Sequence, residues 1–305
     1  MGEYSIGVDL GGTNLRAAAI SRSGEVLAKI SGAAHLSQGR AAVLADMVDS
    51  IRKLREQCGT HDITGVGIGV PGFIIMETGV IVGSNNLPDF EGVPVRDEIE
   101  KLLGTRVILE NDANAAALGE KWMGAGKDVD DLVLLTLGTG VGGGIISGGK
   151  VLRGFVGMAG ELGHITVVPN GNPCGCGNRG CLEKHASATA ISAMARLLQL
   201  GHDLTAAEVY GMALTGNEKA KRVFEAMGEA LGIALAMLVN AFNFPLYLLS
   251  GGPLPAWDFF APVMMSEIKR RSFTFRNTET KIEKATLGNE AGLFGAAYLG
   301  LEKPA

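Results

Sequence analysis

The sequence has no excess of basic residues: over 305 positions, 27 Lys and Arg stand against 32 Asp and Glu, a formal net charge of −5. No positive face therefore recommends a nucleic-acid backbone as partner. Nor is an apolar run that crosses a membrane expected. The most apolar stretch, Ala230 to Phe244, is shorter than the roughly 20 residues that a spanning helix needs. Asn240 and Asn243 interrupt it, so a buried helix is expected. No basic segment precedes the apolar run that starts at Tyr4, which argues against a secretory signal. Ile6 stands where N-myristoylation requires Ser or Thr. Cysteines are few, at 4, and with no targeting signal beside them the expected setting is the reducing cytoplasm.

Glycine, in contrast, is abundant. Its 45 residues are about twice ordinary usage, and they cluster in turns that follow apolar runs. The hydrophobic share of 47% and the charged share of 19% are those of a globular enzyme, with a length that suggests two domains.

The chemistry-bearing residues concentrate between Glu161 and Glu183. Cys174, Cys176 and Cys181 lie here, with His164 upstream of them. Three thiolates and one imidazole fill a tetrahedral zinc shell and leave no position for water, so the expected metal is structural. The Cys-x-Cys-x4-Cys spacing is not a common zinc-finger spacing, but Gly175, Gly177 and Gly180 supply the tight turns it requires. The alternative is a set of buried thiols with a disulfide, which a reducing compartment disfavours. Cys58, near the end of a helical pattern, reads as a small buried residue. Glu161 and Glu183 bracket the arm. A histidine bound to zinc through one nitrogen keeps an N–H on the other, and with two carboxylates it makes a set suited to a polyhydroxyl ligand such as a sugar. The plainer alternative is that both carboxylates are solvated surface acids.

Two strand-turn-strand patterns form the second feature. Ser5 to Asp9, Leu10-Gly11-Gly12-Thr13-Asn14 and Leu15 to Ile20 make the first; Leu132 to Leu137, Gly138-Thr139-Gly140 and Val141 to Ile146 make the second. Gly24-Glu25-Val26-Leu27 and Gly149-Lys150-Val151-Leu152 follow at matching positions, so one three-stranded unit occurs twice. A glycine turn between two strands, and not between strand and helix, argues against a Rossmann or Walker site. The hairpins themselves would wrap phosphates through Gly11, Gly12, Thr13, Gly138, Thr139 and Gly140, with Asp9 placed to hold Mg2+ directly or through water. Two ordinary hairpins are the alternative. Arg16 and Lys150 could supply phosphate charge, yet read equally well as surface residues.

Elsewhere, helical spacing predicts helices from Val43 to Leu54, Ala113 to Trp122, Ala186 to Leu200, Ala206 to Leu214, Glu218 to about Phe242, Trp257 to Arg271 and Glu290 to Leu299. Strands are expected at Ile63 to Val70, Val107 to Leu109, Leu246 to Leu249 and Ile282 to Leu287. Asp112 lies where the strand ending near Leu109 meets an alanine-rich helix, beside Asn111. On position alone it reads as a helix N-cap.

The run from Cys174 to Glu183, together with Gly160-Glu161-Leu162-Gly163-His164, resembles the signature of the ROK family of bacterial sugar kinases and sugar-responsive repressors. The resemblance extends from Asp9 to the closing helix. It implies an α/β, two-domain, actin/Hsp70/hexokinase-like (duplicated ribonuclease H-like) fold with a zinc-binding arm. Residues 1–115 plus about 289–305 would form the smaller domain, and 116–288 the larger, with the arm at 161–183. It implies an ATP-dependent aldohexose kinase, most like a glucokinase, that uses ATP, Mg2+ and structural Zn2+ and closes around its sugar. Kinases for N-acetylmannosamine, N-acetylglucosamine, allose and fructose share much of the set. The Asn-Asp pair of Glu-Asn-Asp-Ala-Asn-Ala matches the family's acceptor and base motif, so Asp112 becomes the general base and Asn111 a hydroxyl ligand. Gly72, after Pro71, and Asn85 would contact the sugar with Glu161, His164 and Glu183, while Gly251 and Gly252 would lie against adenosine. Many members carry Trp near Phe90, so the pocket wall differs here. Family repressors carry an N-terminal helix-turn-helix, for which a strand starting at Tyr4 leaves no room. An actin-like ATPase module would not need the zinc arm. Members are often dimers or tetramers.

Overall fold

The computed structural model describes residues 2–302 apart from Thr13, Asn85, Asn86 and the side chain of Pro88. The chain divides into two compact units: 1–130, 144–160 and 286–305 in the first, and 131–143 and 161–285 in the second.

The first unit is built on a five-stranded sheet of order β3-β2-β1-β4-β8. Its strands are β1 (Glu3–Leu10), β2 (Asn14–Ser21), β3 (Val26–Ala33), β4 (Asp62–Val70) and β8 (Val107–Asn111). β1 pairs antiparallel with β2 and parallel with β4, and β4 pairs parallel with β8. Between them lie helix α1 (Arg40–Cys58), the short strands β5 (Phe73–Ile75), β6 (Val80–Gly83) and β7 (Val93–Pro94), and helix α2 (Val95–Leu103). Helix α3 (Asp112–Met123) and the final helix α9 (Ala291–Leu301) complete the unit.

Helix α1 buries Val43, Leu44, Met47, Val48, Ile51 and Leu54, the predicted stripe, in one cluster with Ile6 and Val8 of β1 and Val66 and Ile68 of β4. The opposite face of the sheet takes α9. A Cβ at Gly67 would collide with the Ala296 carbonyl, and a Cβ at Gly295 with the Ala115 carbonyl of α3. Backbones this close leave room only for hydrogen at those positions. The 115/116 boundary expected from the sequence thus falls inside α3, which close packing on α9 keeps whole in the first unit.

Glu120 of α3 is wholly buried and fully used. Its carboxylate accepts from Ala125 N (2.9 Å), Thr286 N (3.2 Å), Thr286 Oγ1 (3.3 Å) and Leu287 N (2.7 Å). A buried carboxylate is tolerated only with such compensation.

A second sheet, of order β11-β10-β9-β12-β13, repeats the strand order of the first. These strands are β9 (Leu132–Leu137), β10 (Val141–Ser147), β11 (Lys150–Val151), β12 (Leu246–Gly251) and β13 (Lys281–Lys284). β12 is parallel to β9 and to β13, and the chain passes between units within β10. The duplication read from the sequence is therefore present as topology: strands 3-2-1-4-5, twice. The second unit's helices are α4 (Glu183–Ala186), α5 (Ala188–Leu197), α6 (Ala206–Leu214), α7 (Glu218–Phe242) and α8 (Trp257–Arg271).

One helix was expected from Ala186 to Leu200. Extended backbone at Ser187 splits it (φ −83°, ψ 166°), and the Ser187 hydroxyl caps α5 by accepting from Ala190 N. The strand expected at Ile282 to Leu287 ends at Lys284. Helix α7 has the length and apolarity of a membrane span, yet 67% of its most apolar window is buried, as in a core helix. It packs on α8 so closely that a Cβ at Gly228 would meet the Phe260 carbonyl.

Candidate functional site

In the first unit the adjacent parallel strands β4 and β8 end side by side, with Val70 paired to Asn111. Gly72 follows β4 at φ +139°, a conformation that glycine reaches without strain. Its carbonyl accepts from Asn111 Nδ2 at 3.3 Å. Asn111 Oδ1 accepts from Ala113 N (2.9 Å) and Asn114 N (3.1 Å), so the cap of α3 is Asn111. Asp112 is the first residue inside the helix. Its Oδ1 accepts from Ala113 N at 2.8 Å, and the positive end of the helix dipole favours its charge. Position alone had suggested Asp112 as the cap; the neighbour takes that role. Gly72, Asn111 and Asp112 thus lie together.

Glu110 stands directly before this pair and is almost wholly buried, at 2% exposure. One carboxylate oxygen accepts from Asn111 N (3.0 Å) and Asn114 Nδ2 (3.1 Å). The other accepts from Nε of Arg153, and an Arg153 terminal nitrogen also lies 2.8 Å from it. Neither Glu110 nor Arg153 stands out in the sequence.

The first glycine turn leaves β1 at Leu10, and Gly11 N donates to Asn14 O at 2.9 Å. Asp9 is buried and lies opposite Arg16 across the β1–β2 ladder. An Arg16 terminal nitrogen meets Asp9 Oδ2 at 2.5 Å, and another donates to Asn289 O at 2.6 Å. Burial pushes the Asp9 carboxyl above its ordinary value, opposed by the charge and hydrogen bond of Arg16 and reinforced by Glu290. Arg16 is thus engaged at the candidate magnesium carboxylate. Gly12 is exposed. Thr13 and Asn85, also candidates from the sequence, lie outside the described residues.

In the second unit, the turn Gly138-Thr139-Gly140 closes by Gly138 N donating to Gly140 O at 2.9 Å. The start of α5 fastens it: Ala188 N donates to Gly138 O (2.8 Å) and Thr189 Oγ1 to Thr139 O (2.7 Å). Gly251, at φ +113°, ends β12 against the same strand end, and Gly252 N donates to Leu137 O at 3.0 Å. The two glycine turns of this unit are therefore neighbours.

The arm folds back on itself through the bridges Thr166 with Cys181 and Pro173 with Arg179. Single ligand atoms of His164, Cys174, Cys176 and Cys181 all lie within 4.8 Å of one another. Cys174 Sγ is 3.5 Å from His164 Nδ1, and the Cys176 and Cys181 sulfurs are 3.7 Å apart. A zinc tetrahedron with Zn–S of about 2.3 Å and Zn–N of about 2.0 Å has S···S edges of about 3.8 Å and S···N edges of about 3.5 Å. The donor set fits zinc in both type and spacing. Burial and the neighbouring sulfurs push the Cys181 thiol up to about 12, crowding that a bound cation would relieve.

His164 turns its other nitrogen away from the sulfurs: Nε2 is 3.8 Å from Glu161 Oε2. Partial burial raises the Glu161 carboxyl above its ordinary value; His164 opposes the rise and Glu183 adds to it. Glu183 Oε2 accepts from Val141 N at 3.3 Å, and Oε1 lies 3.1 Å from Lys184 Nζ. A Cβ at Gly140 would strike that carboxylate. The structure therefore brings Glu161, His164 and Glu183 together and sets them beside the second glycine turn.

The ROK family model matches residues 5–303. A glucokinase of Halalkalibacterium halodurans is 38% identical over 314 residues, which cover 97% of this chain and 94% of that protein. The crystal structure of a ROK hexokinase from Thermus thermophilus superposes with a TM-score of 0.87 at 34% identity, covering 98% of this chain and 99% of the other. A ROK family glucokinase from Streptomyces griseus, in complex with glucose and AMPPNP, gives a TM-score of 0.75 at 32% identity, over 97% and 98% of the two chains. The donors of the arm, the paired glycine hairpins and the Asn111-Asp112 junction all sit within the matched span, and this chain belongs to the ROK family.

Proposed function

We propose that this protein transfers the γ-phosphoryl group of ATP to a hexose, with glucose the favoured acceptor and Asp112 the general base. The observation that carries the assignment is the division of labour at the head of α3, where Asn111 caps the helix and Asp112 is not needed for that purpose. The glucokinase and hexokinase relatives support the substrate class, and the AMPPNP complex of the Streptomyces griseus enzyme supports ATP as donor.

In this reading the sugar hydroxyl forms a bond to the γ-phosphorus as the bond to the ADP oxygen breaks, and its proton passes to an Asp112 carboxylate oxygen. A carboxylate is a weak base. It suffices here because the transition state of phosphoryl transfer is loose and positioning carries most of the rate. Mg2+, when bound, supplies charge neutralisation at the phosphate oxygens. Asp9 is the residue that would hold it, and Gly11, Gly12, Thr13, Gly138, Thr139 and Gly140 would line the phosphates. Glu161, Glu183 and His164 Nε2 would read the hydroxyls, with Gly72, Asn85 and Asn111. Gly251 and Gly252 would take the adenosine. Zinc would be held by His164 Nδ1 and the three thiolates, and its part is to fix the arm.

The test is ADP release with Mg-ATP across glucose, mannose, fructose, allose, N-acetylmannosamine and N-acetylglucosamine, with Asp112→Asn alongside. Glucose is expected to be preferred, and the variant to lose at least about 100-fold in kcat while binding AMPPNP as before. Release of ADP indifferent to every sugar sinks the kinase reading. Near-normal turnover in Asp112→Ala, with only stability lost, returns Asp112 to a structural role.

A further inference from the structure

The segment that joins β11 to Glu161 has little apolar anchorage. Phe155 is 102% exposed, Val156 53% and Met158 40%. Three features fix it instead. Gly157 lies against the Ile74 carbonyl so tightly that a Cβ would stand 2.7 Å from it. Ala159 N donates to Arg153 O at 3.1 Å, closing the segment on itself. The Arg153 guanidinium grips Glu110 through two nitrogens.

Arg153 therefore faces two ways. Its main chain holds Ala159, two residues before the sugar-reading Glu161. Its side chain holds Glu110, whose second oxygen accepts from the amide of Asn111, one residue before the base. We infer that Arg153 and Glu110 are positioning residues that fix the strand end presenting Asp112 and hold it to the segment around Ala159.

The chemistry of the pair supports this. Glu110 is desolvated, with side-chain exposure of 3%, and a carboxylate in that state holds a charged partner in fixed geometry. Arg presents a planar fork for the purpose, which Lys does not. Nothing in the packing of β8 requires the pair, since Val107 and Leu109 already bury the strand in the apolar core. The inference rests on Asp112 being the base, and its test separates the two claims.

Arg153→Met, Arg153→Lys, Glu110→Gln and the double variant Arg153→Met with Glu110→Gln would be assayed with Mg-ATP and glucose beside Asp112→Asn. The readouts are kcat, KM for each substrate, melting temperature and zinc content. A misplacement of about 1 Å costs up to about 100-fold in rate, so Arg153→Met is expected to lower kcat by 10- to about 100-fold and to raise the glucose KM. The ATP KM and zinc content are expected to stay unchanged. Arg153→Met also leaves a buried carboxylate without its cation, so its melting temperature falls. The double variant removes that charge and is expected to recover the melting temperature without recovering kcat. Recovery of both together would make the pair merely structural and overturn the inference. Arg153→Lys, which keeps the charge and loses the fork, guards against a folding failure: reduced kcat in a stable protein supports the role, and full kcat overturns it. Turnover kept by Asp112→Asn would overturn the base and the positioning role with it. Turnover lost there but kept in Arg153→Met would overturn the positioning role alone.

Discussion

The two glycine hairpins share a strand order and differ in where their acid comes from. In the first, Asp9 belongs to the strand that leads into the turn and meets Arg16 across the ladder. In the second, the acid is Glu183, 42 residues from Val141 whose amide it accepts, and it is carried in by the cysteine-rich arm. One charge is set by strand register, which the sheet fixes. The other is set by the folding of a loop that zinc is expected to hold. A duplicated scaffold can thus keep its backbone turns and reassign the surrounding chemistry.

The largest effect should follow from removing the arm's metal. Structural zinc in small modules contributes on the order of 10 kcal/mol of local folding. Cys176→Ser is expected to lose zinc, loosen the arm and raise the glucose KM by more than about 10-fold, a change of about 1.4 kcal/mol or more. The first hairpin should be untouched. Zinc measured by atomic absorption beside sugar binding by calorimetry checks this, and unchanged values in both would erase the contrast.

A smaller effect should separate the turns themselves. At Gly140 an added methyl meets the Glu183 carboxylate, whereas at Gly12 it meets no described atom within 4 Å. Gly140→Ala is expected to cost about 1–3 kcal/mol through overpacking and to weaken sugar binding. Gly12→Ala should stay within about 0.5 kcal/mol in thermal melts without nucleotide. Equal losses in the two would mean that Glu183 does not rest on the turn.

The smallest effect is one of pH. The folded state holds the Glu161 proton more tightly than an ordinary carboxyl does, so the associated stability is full below the ordinary value of about 4.3. It is lost as pH rises through the raised one. In the proposed reading sugar recognition needs the ionised form, so affinity should fall as pH drops through the raised value. Glu161→Gln should flatten that acid limb of the glucose KM profile. A limb that persists in the variant belongs to another group.

Much of this was legible in the sequence because it is local. Four candidate metal donors within one short arm, a glycine turn between two apolar strands, and the apolar stripe of α1 each declare themselves over about 20 residues. Helices α6, α7 and α8 have the limits that periodicity gave them. What escaped is non-local or decided by a single residue. Glu110 and Arg153 are 43 positions apart, and each alone reads as an ordinary charge. The choice of Asn111 over Asp112 as cap turns on one ψ angle, 144° at Asn111. Arg16 read equally as phosphate charge or as a surface residue until the ladder register set it opposite Asp9. Glu120 carries no motif, since its partners are three backbone amides and the Thr286 hydroxyl, on both sides of the chain's passage through the second unit.

The place of α9 bears on how the protein is made. The sheet of the first unit rests on a helix that is made only after the second unit: Ser5 Oγ donates to Ala297 O, and Thr64 Oγ1 to Gly300 O. The sheet face made by β1 and β4 must wait, uncovered, while the whole second unit is translated. A nascent chain stalled before Ala291 would leave that face uncovered, so a chaperone attending synthesis would be needed by β1 and β4 until α9 follows.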